Sequence, residues 1–251
     1  MFRIPVGSRK VFPPVHEAAT VMQSFTYLLV NCCAVVICLV ASFDRRIQFN
    51  RLFGTFALSA TVVAVPFLLW DAWFTQKGVW WFDLRYTLGI TLAGLPLEEW
   101  LFFWCIPFAC VFTYYCINRF FDLSRADSAN NILVFASTIV LTVLALLHCR
   151  QVYTLLATGS ALITLLYLHF IARQEWIARA SLVYLLLMPG FLAVNGVLTG
   201  TGIPSPIVNY RPGTFLGIRI GTIPIEDVVY GYSLFLLNIY CFKYFQRKTS
   251  V

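Results

Sequence analysis

Charge is the scarcest property of this sequence. Only 12% of its 251 residues are charged, with 11 acids among them, while 60% are hydrophobic. Water-soluble domains run at about 25% charged and about 45–50% apolar. A soluble domain is therefore excluded, and the mean hydropathy of +0.79 describes a polytopic membrane protein. Phosphate-cradling motifs are missing too. No GxGxxG follows a strand pattern and no P-loop occurs, which argues against dinucleotide and NTP domains. Metal-ligand spacing is also lacking: the eight cysteines form no CxxC or Cys/His pattern and sit in or beside apolar runs, where cysteine behaves as a small apolar residue. No metal and no cofactor is expected. The net charge of +7 does not signal nucleic acid, because the basic residues cluster in breaks between apolar runs, where they meet lipid headgroups and set orientation.

What is present is a chain of apolar runs about as long as a bilayer core of ~30 Å requires. They lie near 24–42, 52–74, 95–118, 131–149, 153–171, 180–199 and 224–245. The first run is long and has no AxA cleavage site, so it reads as a retained span rather than a signal peptide. Residues 1–22 form a polar, proline-containing tail, and Met22 offers an alternative start. The connections 75–94 and 200–223 carry Gly, Pro and aromatics and are expected to pack on the protein.

Two stretches repeat. Leu88-Gly89-Ile90 precedes Pro96-Leu97-Glu98-Glu99, and Leu216-Gly217-Ile218 precedes Pro224-Ile225-Glu226-Asp227, with the same five-residue gap. Each residue of the second set is the first shifted by 128, an internal repeat of near half-chain period. The same shift lays Phe25-Thr26 on Tyr153-Thr154, and four inserted residues lay Asp71 on Asn195. The run at 131–149 has no counterpart. The expected fold is an all-α polytopic membrane protein of about seven transmembrane helices, built as two parallel three-helix repeats joined by a linker helix (3+1+3). The boundaries are a tail 1–22, a first repeat 23–122, a linker 123–150 and a second repeat 151–251. Loops on the C-terminal side hold ten basic residues, from Arg45 to Lys248, against five on the other side, from Lys77 to Arg219. That asymmetry puts the C-terminus in the cytoplasm.

A proline followed by acids in a first helical turn is ordinary capping chemistry. Here the acids recur at one depth, beside hydrocarbon that charges them heavily for ionising, which marks a functional site. Arg219, seven residues before Glu226, shares its face if the helix extends back that far. Crowded carboxyls keep one member protonated beside an ionised neighbour, a proton donor next to an anion. Rings follow both pairs, Phe102 and Phe103 after the first and Tyr230 after the second, and aromatic faces attract cations by roughly 0.5–2 kcal/mol.

Pro96-Leu97-Glu98-Glu99 with Trp100-Leu101-Phe102-Phe103, the stretch 216–227, and Trp70-Asp71-Ala72-Trp73-Phe74-Thr75 resemble the integral-membrane lycopene cyclases that lack a flavin domain. The resemblance covers residues 22–245. It implies a bacterial-type integral protein of the cytoplasmic membrane that closes the acyclic ψ ends of lycopene and related carotenoids to β-rings without net redox change. It also implies partnership with other carotenoid enzymes. Glu98 and Glu226 are the leading acid/base candidates, either role open to either, with Glu99 and Asp227 their supports. Asp71, Asn195, Arg219, Trp70, Phe102, Phe103 and Tyr230 are expected at the substrate. A transporter of parallel repeats with a carboxylate proton relay shares the layout. A retinal protein is argued against, because Lys243 stands at the end of the last span rather than its middle.

Overall fold

The computed structural model describes residues 23–249, and the expected tail lies outside them. Among the described residues the chain forms seven helices: α1 (Thr26–Ala41), α2 (Phe53–Lys77), α3 (Leu97–Phe120), α4 (Asn130–Leu147), α5 (Val152–Leu166, continued by a π turn over Tyr167–Ile171), α6 (Ile177–Leu198) and α7 (Ile225–Thr249). Each falls within a few residues of an expected span. Five stretches, Phe49–Lys77, Leu97–Phe120, Ser124–Leu147, Val152–Ile171 and Ile177–Leu198, are long and apolar enough to cross a membrane; α1 is shorter. Ile37, Leu69, Ile139, Leu147, Ile163 and Leu185 stand exposed on the outer faces. Such a surface is disfavoured in water and at home in lipid.

The helices pack by repeat. α1 lies on α3 as α5 lies on α7, and α2 lies on α7 as α6 lies on α3. α3 and α7 meet at the centre, while α4 leans on α5 and α6 from outside. A swap of the two halves keeps these pairings, so an approximate two-fold relates them. Two strands in the long connections fix where it passes. β1 (Trp80–Phe82) pairs antiparallel with β4 (Val208–Tyr210) in the register Trp80↔Tyr210, Trp81↔Asn209, Phe82↔Val208. Asn209 is Trp81 shifted by 128, so the dyad runs through that central pair and brings the same end of both repeats together.

Each repeat also carries a small hairpin before its central helix. β2 (Thr91–Leu92) pairs with β3 (Leu95–Pro96), and β5 (Arg219–Ile220) with β6 (Ile223–Pro224). The long connections pack as expected: Val79, Trp80, Tyr86, Ile207 and Phe215 are all buried. At the opposite end, Phe49 is enclosed by the rings of Phe53, Phe108, Phe112 and Phe242. This hydrophobic cluster ties α2, α3 and α7 together below the connections.

Two sequence expectations need correction. α7 starts at Ile225, and Arg219 lies in β5, so Arg219 and Glu226 share no helical face. Pro224, which lacks an N–H, ends β6 here, and Arg219 opposite it in β5 is exposed. The alignment of the outer helices slips by two residues. By its partners, Tyr27 rather than Phe25 is the counterpart of Tyr153, because Tyr27 reaches Glu99 as Tyr153 reaches Asp227.

Candidate active site

The repeated motif builds a clamp at the start of each central helix. The Glu98 Oε1 accepts from the Leu88 N–H at 2.6 Å, and the Glu226 Oε1 accepts from the Leu216 N–H at 2.8 Å. One residue on, Gly89 and Gly217 turn the chain at φ +75° and +80°, a region open to glycine at little cost. The next residue's carbonyl then caps the helix. Ile90 O accepts from Leu97 N at 2.9 Å, and Ile218 O from Ile225 N at 3.0 Å. Leu-Gly-Ile, the gap and the acid thus form one hydrogen-bonded unit, built twice. Glu226 takes a further bond from the Thr154 hydroxyl at 2.6 Å, while the Asn31 amide donates to the Glu98 backbone carbonyl. The remaining carboxyl oxygens, Oε2 of Glu98 and of Glu226, are buried and meet no hydrogen-bond partner among the described residues.

The second acid of each pair points elsewhere. Consecutive helical residues diverge by about 100° (3.6 per turn), so Glu98 turns to its loop while Glu99 turns to the interior, and Glu226 and Asp227 part in the same way. Tyr27 donates its hydroxyl to Glu99. Tyr153 donates to Asp227 Oδ1 at 2.5 Å and Tyr210 to its Oδ2 at 2.7 Å. Asp71, on α2, accepts from the Tyr230 hydroxyl at 3.1 Å and faces the same cavity as Glu99. Burial holds the Tyr210 phenol, outside the spans, well above its ordinary range, and the facing Asp227 carboxylate adds to this. That phenol therefore stays a hydrogen-bond donor.

These groups share one cavity of about 100 Å³ between the repeats. Asp71, Glu99 and Asp227 reach it from three helices, with Tyr27, Trp80, Tyr153, Tyr210 and Tyr230 around them. Below the acids it is mostly apolar. Phe102, Ile106 and Cys110 continue one stripe of α3, and Tyr230, Leu234 and Asn238 one of α7, at the three- and four-residue steps of a helical face. Phe191, Asn195 and Leu198 close it from α6.

Of the residues expected at the substrate, Asp71, Asn195, Phe102 and Tyr230 line this cavity. Trp70 and Phe103 do not: each is one step around its helix from a lining residue and packs into the core with Phe67. Asn195 donates to the Phe191 carbonyl rather than to an acid. Arg219 lies behind the wall, its guanidinium over the rings of Tyr210 at 5.6 Å and Phe215 at 5.0 Å, and it donates to the Thr222 carbonyl. Glu98 and Glu226, the expected acid and base, are absent from the lining.

Sequence reasoning missed Tyr27, Tyr153, Tyr210 and Trp80. The two-residue slip concealed Tyr27, and aromatics in a loop carry no periodicity to mark Trp80 and Tyr210. Above the cavity Ser205 of the second repeat bonds Asp83, Arg85 and Tyr86 of the first. The guanidinium of Arg85, 2.6 Å away, holds the Asp83 carboxyl below the usual carboxylate range. Among the described residues no cluster of His, Cys, Asp and Glu is arranged to hold a metal ion.

The chain matches the family described as Lycopene cyclase over residues 24–117 and 150–245. No curated protein and no solved structure matches it.

Proposed function

We propose, from the premise that this chain belongs to the lycopene cyclase family, that it closes the ψ ends of lycopene and related carotenoids to β-rings by carboxyl acid–base chemistry inside the membrane. The observation that carries this reading is the meeting of Asp71, Glu99 and Asp227, contributed by both repeats, in one aromatic-walled apolar cavity. A hydrocarbon substrate offers nothing to hydrogen-bond. What cyclisation needs is a proton for an alkene, a place for the cation, and a base, all shielded from water. Tyrosine and tryptophan faces around the acids steady a cation.

Glu98 and Glu226 hold the Leu-Gly-Ile loops in this reading, and the neighbouring acids act. This departs from the sequence expectation, because the loop amides occupy the first acid of each pair. The cavity suits a single end group, so the rest of a C40 polyene extends among the helices and the two ends react in turn. Ten basic residues against five favour a cytoplasmic C-terminus, with the acids then in the outer half of the bilayer. No cofactor is invoked.

Expression in a lycopene-accumulating bacterium, followed by pigment chromatography, tests the proposal. Monocyclic and bicyclic β-ring carotenoids are expected, and lycopene left unchanged beside correctly inserted protein would refute it.

A further inference from the structure

The two halves of the cavity match in backbone and differ in chemistry. In the first, Glu99 shares the cavity with a second carboxyl, Asp71. In the second, the position equivalent to Asp71 is Asn195, whose amide donates to Phe191 and leaves Asp227 alone. Conversely Asp227 receives two phenol donors, from Tyr153 and Tyr210. The position equivalent to Tyr210 is Phe82, which has no hydroxyl for Glu99. Two carboxyl groups facing one apolar cavity, each also taking a tyrosine O–H, share it at least cost with a single proton kept on the pair. A carboxyl that accepts one O–H on each oxygen favours the anion, because hydrogen bonds to an ionised acceptor are the stronger ones.

We infer that the cleft is chemically polar: the Glu99–Asp71 pair of the first repeat is the proton donor, and Asp227 of the second repeat is the base. This assignment rests on the cyclase reading above. The carboxyl O–H of Glu99 or Asp71 breaks as a C–H bond forms at C2 of the terminal C1=C2 double bond, leaving a cation at C1. The C5=C6 electron pair closes the C1–C6 bond and moves the cation to C5. Asp227 takes the proton from C6, and that C–H pair becomes the ring C5=C6 double bond. One proton enters and one leaves, so no oxidant or reductant is needed. Tyr153 and Tyr210 are positioning residues that hold the base; Tyr27 and Tyr230 hold the pair.

Full-length protein in liposomes loaded with lycopene, suspended in D₂O and read by mass spectrometry, separates the roles. Glu99→Gln and Asp71→Asn should return lycopene without deuterium, because no cation forms. Asp227→Asn should still protonate the substrate. Lacking its base, it should yield recovered lycopene carrying deuterium, or rings with misplaced double bonds. Label from Glu99→Gln with none from Asp227→Asn would overturn the assignment, as would label from neither. Two further variants keep every carboxyl and guard against misfolding. Asp227→Glu should change the ratio of ring isomers, and Asp71→Glu should lower the rate alone; an unchanged isomer ratio in both would also overturn it. If wild-type protein forms no ring, the functional reading itself fails. If it forms rings and the labels run the other way, this assignment alone fails.

Discussion

Replacing Glu226 by alanine should destabilise the protein about twice as much as replacing Glu98. The Glu226 carboxyl receives two hydrogen bonds, from the Leu216 N–H and the Thr154 hydroxyl, and the Glu98 carboxyl receives one, from the Leu88 N–H. A hydrogen bond contributes about 0.5–3 kcal/mol across neutral and charged partners. Alanine should therefore cost about 1–6 kcal/mol at Glu226 and about 0.5–3 at Glu98 by that measure, against the 5–15 kcal/mol typical of folded domains. Glutamine keeps an acceptor oxygen in the same place, so Glu98→Gln should stay within about 1 kcal/mol and Glu226→Gln within about 2. Turnover should follow stability. The glutamine variants should retain most ring formation, whereas Glu99→Gln and Asp227→Asn should lose about 10²–10⁴-fold, the usual contribution of general acid–base groups. Thermal unfolding in detergent and pigment analysis of membranes measure the two effects on the same preparations. Glutamine variants with wild-type melting temperatures and no turnover would show that Glu98 and Glu226 take part in the chemistry themselves.

Four further outcomes are expected. Gly231→Ala places a Cβ 2.9 Å from the Tyr184 hydroxyl and 3.2 Å from the Phe191 ring at the cavity wall; it should cost about 1–3 kcal/mol by overpacking and lower turnover, as melting and pigment assays would register. The folded-state lowering of the Asp83 acid means its contribution is present above the ordinary carboxylate range and is lost as pH falls through the lowered value. Wild-type melting temperature should drop in that acid window, and Asp83→Asn should flatten this part of the drop. Arg219→Ala should reduce turnover only modestly, because its contact with the cavity runs through the Tyr210 ring; complete loss would place the guanidinium at the substrate. Lys243→Ala should leave ring formation intact, since its ammonium lies over the Tyr114 and Trp176 rings, outside the cavity lining.

Sequence alone determined the helices, because hydrocarbon leaves a spanning chain little choice. With every backbone polar group to be satisfied internally, apolar runs of about twenty residues become helices whatever their neighbours do. The repeat was equally legible, since Leu-Gly-Ile and the acid behind proline are each fixed by a local bond or turn. So was Asp71, a carboxylate inside a span.

Which acid of a pair faces the cavity was left to the tertiary structure. Glu98 and Glu99 differ by one helical step, and only the packed positions of loop 88–90 and of Tyr27 decide which turns inward. The same holds for Trp70 against Asp71 and Phe103 against Phe102. The donors to Asp227 come from α5 and from a strand whose partner is in the other repeat, contacts of long sequence separation that no periodicity encodes. A pattern of residues can announce that acids sit at the head of two helices. The inequality of the two halves, two carboxyl groups in one and a single carboxyl with two phenol donors in the other, arises only when the helices are brought side by side.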